Sequence, residues 1–128
     1  MATGFAKRVF QIAGFWGLFV LSLGYGAYLL GVEGATIDSD RPDIVHGFFV
    51  VALAWQVAFL FIATDPQRYR PLMLAAMLEK FPFTLAVLAL YANGQLPTTM
   101  LVLGLIDGAL GALFSIAYIW TDPATGVE

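Results

Sequence analysis

A chain of 128 residues that is 60% hydrophobic and only 12% charged departs from soluble domains, which run about 45–50% apolar and about 25% charged, and points to lipid as its solvent. Cysteine is absent, which excludes thiol–disulfide chemistry, iron–sulfur clusters and thiolate zinc sites; the single histidine excludes bis-histidine haem and multi-histidine di-iron centres built within the chain. The net charge of −3 is spread over short loops without a basic run, so nucleic acid is not an expected partner, and no metal or cofactor is expected.

Four apolar segments of membrane-spanning length are read at 9–31, 43–63, 71–92 and 98–120, each about 30 Å long as a helix. Lys7 and Arg8 precede the first as a signal n-region would, but the segment outruns the roughly 7–15 residues of a signal h-region and is retained as a span. Its Gly17, Gly24 and Gly31 recur at seven-residue spacing and predict a packing seam. A polar loop from Gly34 to Pro42 leads into the second segment, where Asp43 stands three residues before His46, a spacing that lets the carboxylate hold the imidazole at a helix start. Trp55 and Gln56 fall near the middle of that segment. There Gln56 needs a hydrogen-bond partner, and an interhelical one is expected. Asp65-Pro66 ends the helix.

The third segment carries Glu79 and Lys80 about 12–14 Å beyond Pro71. Charges at that depth in a membrane cost about 2.5–3.5 kcal/mol each, so both need partners. Adjacent helix positions point about 100° apart; Lys80 is therefore expected to snorkel or to reach the fourth helix, and Glu79 to form a structural ion pair, to link to Arg68 or Arg70, or to hold a proton. Pro82 removes a backbone donor and clashes with the Leu78 carbonyl, which predicts a local kink and a polar pocket. After the turn at Asn93-Gly94 and Pro97, the fourth segment places Asp107 among Gly104, Gly108 and Gly111, a face bare enough for close helix packing. Folding the last two helices back on each other sets Asp107 opposite about Phe83, within about 4.5 Å of rise from Lys80, and predicts a Lys80–Asp107 bridge.

Short connections make these segments an all-α, up-down four-helix bundle integral to a membrane, with the lipid bilayer as its first partner. Lys7, Arg8, Arg68 and Arg70 share one side and Arg41 stands alone on the other, so both termini are expected in the cytoplasm, the protein being a multi-pass one of a bacterial inner membrane.

The runs His46-Gly47-Phe48, Leu53-Ala54-Trp55-Gln56, Asp65-Pro66-Gln67-Arg68-Tyr69-Arg70-Pro71-Leu72-Met73 and Leu78-Glu79-Lys80, about a third of the chain, resemble a pattern in small uncharacterised bacterial four-helix membrane proteins. In size and span count the chain is also similar to DoxX-like and emopamil-binding proteins, whose bundles hold small apolar ligands; the likeness is one of architecture. Three functions follow as expectations: a bundle that binds a lipid-like or isoprenoid molecule beside Glu79, Lys80, Asp107, Gln56, Trp55 and His46; an accessory subunit of a larger membrane complex; and a homo-oligomeric proton-coupled transporter. The seam glycines, Gly17, Gly24, Gly104, Gly108 and Gly111, are expected to serve packing.

Overall fold

The protein is described by a computed structural model over residues 2–33 and 40–123; the expected loop from Gly34 lies outside these residues as far as Ser39. It is all-helical, with α1 (Ala2–Leu30), α2 (Pro42–Thr64), α3 (Arg70–Ala92) and α4 (Thr98–Trp120), each long and apolar enough to cross a membrane. The last three match the sequence reading to within a residue. By contrast, α1 begins seven residues earlier than the expected span, at Ala2. The extension is held by tertiary packing, since Ala6 is buried and the Phe5 ring lies 5.0 Å from that of Trp120.

Local chemistry explains where the helices stop. Gly31 has a φ of 65° and Gly94 one of 71°, the left-handed conformation that glycine adopts at little cost. Each is followed by a six-to-one closing bond, from Val32 N–H to the Ala27 carbonyl at 3.0 Å and from Gln95 N–H to the Leu90 carbonyl at 2.9 Å, the usual way to satisfy terminal carbonyls. Pro42 and Pro71 occupy first turns, where a missing N–H costs nothing. Pro82 sits inside α3, which nevertheless runs unbroken from Arg70 to Ala92.

Two antiparallel hairpins, α1–α2 and α3–α4, pack together through α1 against α4, while α2 and α3 touch least of the neighbouring pairs. The hairpins meet in the half of the bundle that carries both chain ends. There Phe10, Phe59, Phe114, Ile62 and Met73 are fully buried, with the Phe10 and Phe114 rings stacked at 4.3 Å and Phe59 edge-on to Phe114 at 5.0 Å. Toward the opposite end, the buried residues belong to contacts inside a single hairpin, such as Phe49 near Gly24 and Val87 near Gly104. The bundle is packed at one end and splayed at the other.

Glycines set the hairpin spacing. A Cβ on Gly104 would lie 2.6 Å from Val87, one on Gly108 3.0 Å from Thr84 and one on Gly111 2.9 Å from Phe81. The expected close face of α4 is thus in use against α3. The Thr84 hydroxyl lies 3.0 Å from both the Lys80 and the Gly104 carbonyls, tying the two helices at the same level. On α1 the seam differs from expectation: Gly17 and Gly24 face Gln56 and Phe49, Gly14 joins them against Leu60, and Gly31 has nothing nearby because it forms the turn.

Candidate functional site

The splay leaves a cavity of about 470 Å³ between the hairpins, inside the roughly 300–1,000 Å³ common for small-molecule sites. Its walls are mostly apolar, from Val20, Leu21, Phe49, Phe83, Met100 and Leu103 among others. Gly17 and Gly24 also line it, with Gln56 and Phe49 packed where their side chains would start. On each helix the lining residue nearest the packed half is Trp16, Gln56, Glu79 or Asp107. These four, with Lys80, form a polar floor at the boundary between the splayed and packed halves.

Lys80 organises the floor. Its ammonium donates to Asp107 Oδ1 at 3.1 Å and lies 3.2 Å from Glu79 Oε2. Below it, the Phe59 ring centre is 5.4 Å away, so the cation rests on the aromatic core. The Lys80 side chain is 5% exposed, against 21% for Glu79 and 22% for Asp107; the cation is sealed in and the carboxylates border the cavity. The expected Lys80–Asp107 bridge is present. Of the alternatives expected for Lys80, it reaches the fourth helix and does not snorkel. The ion pair expected for Glu79 is formed with Lys80 itself, although the two neighbours leave the helix in different directions. The arginines do not reach Glu79: Arg70 lies over the Tyr118 ring at 3.8 Å and donates to the Tyr118 carbonyl at 3.1 Å, and Arg68 lies 5.6 Å from the Tyr69 ring.

Gln56 is 1% exposed. Its Nε2 donates to the Ala52 carbonyl of its own helix at 2.9 Å, so the expected interhelical bond is not the one formed. The Oε1 atom is buried without a hydrogen-bond partner and occupies the gap that Gly17 leaves, where a Cβ would overlap it. Trp55 lines the cavity and also packs near Phe59, with ring centres 6.3 Å apart.

His46 does not belong to this group. It is exposed near the splayed end, where Nδ1 shares a hydrogen bond with the Tyr25 hydroxyl at 2.8 Å and the Tyr25 and Tyr28 rings stand edge-on to it. The expected Asp43–His46 pair does not form, since Asp43 is engaged by Arg41 Nε at 3.0 Å and Nη2 at 2.6 Å. That carboxylate raises the Arg41 guanidinium further above its ordinary value.

Trp16, Met100 and Leu103 were not singled out by sequence reasoning. The signal for Trp16 is its place next in sequence to Gly17. Among the described residues no group of three His, Asp or Glu side chains comes together to hold a metal ion.

Four helices long and apolar enough to span a bilayer, arranged around an apolar cavity with a charged floor, point to the class of multi-pass membrane proteins. No family model, curated protein or solved structure matches this chain, so its function is argued from the site.

Proposed function

We propose that the chain is a multi-pass protein of the bacterial inner membrane that holds a lipid-like molecule between its two hairpins, the apolar part along the cavity walls and the polar end at Glu79, Lys80 and Asp107. The observation that carries this reading is the position of the charged floor at the inner end of an otherwise apolar cavity. A few convergent polar groups in an apolar concavity are the common form of an amphiphile site, and intramembrane charges mark function more often than surface ones. Entry is from the side, between α2 and α3, where the helices touch least.

Tryptophan fluorescence tests this. Trp16 and Trp55 line the cavity, whereas Trp120 lies at the far end of α4 and is exposed. Bromododecane titrated into the detergent-solubilised Trp120→Phe variant is expected to quench along a saturating curve. A variant that keeps only Trp120 is expected to follow a linear, unsaturated one. Linear curves for both overturn the reading.

The orientation has its own test. Lys7, Arg8, Arg68 and Arg70 lie at the packed end, and Arg41 at the other, which supports a reading with the packed end in the cytoplasm. In intact cells a membrane-impermeant thiol reagent is expected to label Asp40→Cys and to spare Gln67→Cys. The reverse pattern inverts the topology.

A further inference from the structure

The floor of the cavity is short of hydrogen-bond donors. Lys80 directs its ammonium to Asp107 and Glu79 and rests on Phe59, and Gln56 Nε2 is committed to the Ala52 carbonyl. Acceptors remain in excess. Gln56 Oε1 is buried with no partner, and Glu79 Oε2 meets Lys80 only as an ion, without hydrogen-bond geometry. Among the described residues nothing donates to Asp107 Oδ2. Two carboxylates around one ammonium also leave the trio with a formal charge of minus one. The remaining donors are the rest of the Lys80 ammonium, held between the two carboxylates on a side chain 5% exposed, and the single, uncharged indole N–H groups of Trp16 and Trp55 on the lining.

A buried acceptor left unsatisfied is costly, and a group that supplies its missing proton recovers that cost. A carboxylate or phosphate entering the same floor meets like charge, and a bare carbonyl adds one more acceptor. Resting on the reading of the cavity as a lipid-like site, we propose that its ligand ends in a hydrogen-bond donor, an alcohol or an ammonium at the tip of an apolar chain. Gln56 Oε1 is the neutral half of the recognition, and Glu79 with Asp107 the anionic half. Gly17 contributes by leaving room for the Gln56 oxygen at the cavity wall.

The proposal is tested by displacement of bromododecane from the full chain in an uncharged detergent, read by Trp16 and Trp55 fluorescence. The four competitors share a chain length: dodecanol, dodecylamine, dodecanoate and a methyl ketone. The alcohol and the amine are expected to displace at concentrations about tenfold below those of the ketone and the carboxylate. An amine ahead of the alcohol assigns the larger part to the carboxylates, and an alcohol ahead assigns it to Gln56. The Gln56→Met variant, which keeps the side-chain length, is expected to lose the preference for alcohol over ketone while still binding bromododecane. A ketone or carboxylate that displaces as well as the alcohol and the amine overturns the donor assignment and leaves the cavity reading standing. Failure of all four, together with unsaturated quenching by bromododecane, overturns the cavity reading and this proposal with it.

Discussion

Lys80→Met is expected to be the most damaging single substitution at the cavity floor, lowering stability by about 3–5 kcal/mol, the range for removing one partner of a buried ion pair. The size follows from the count of groups stranded, because both Asp107 and Glu79 lose their cation at once. Asp107→Asn is expected to cost less, since Lys80 retains Glu79 at 3.2 Å. Combining Lys80→Met with Asp107→Asn removes one orphan and restores part of the loss, and adding Glu79→Gln restores more. A double-mutant cycle on thermal unfolding in detergent isolates the coupling. Strictly additive losses would show that Lys80 and Asp107 do not act as one unit.

The second large effect is expected at the contact of α3 with α4. Gly104→Leu places its Cβ 2.6 Å from Val87 Cγ1 and 2.9 Å from Val87 Cβ. A β-branched side chain that is itself 2% exposed has no alternative rotamer to retreat to, so the helices must part, at a cost of about 1–3 kcal/mol or more. Gly26→Leu is the control. Nothing lies within 4 Å of a Cβ at Gly26, and leucine improves on glycine inside a helix by nearly 1 kcal/mol. Gly104→Leu should therefore unfold at a clearly lower temperature than the parent protein, and Gly26→Leu at the same temperature or slightly higher. Equal midpoints for the two variants would mean that the α3–α4 approach is not limited by Gly104.

Much of this arrangement is legible in the amino-acid order because its signals are local or arithmetical. Pro71, Asn93-Gly94 and Pro97 mark helix limits through backbone chemistry that needs no tertiary context. The Lys80–Asp107 bridge follows from equal depth on antiparallel neighbours. The Glu79–Lys80 contact does not, because Cβ directions describe where side chains start and not where they end. The start of α1 is not legible in the same way, since Phe5 and Ala6 are held by Trp120 and the core, partners remote in the chain. At His46 a neighbour three residues away loses to Tyr25, twenty-one positions distant, while Arg41 takes Asp43 with two hydrogen bonds. The cavity was the least legible feature. It depends on the angle between two hairpins, which leaves no periodic trace in the chain.

The concentration of shared buried side chains at one end of the bundle gives the molecule the mechanics of a peg. Phe10, Phe59 and Phe114 act as the spring, the connection between α2 and α3 lies beside them, and the free halves of α2 and α3 are the jaws. Segments with few buried apolar contacts open at a lower free energy than the core they are attached to. The jaws can therefore widen by a small change of hairpin angle while the aromatic spring stays closed. Lys80, seated on Phe59 and bonded across to Asp107, stands at the pivot.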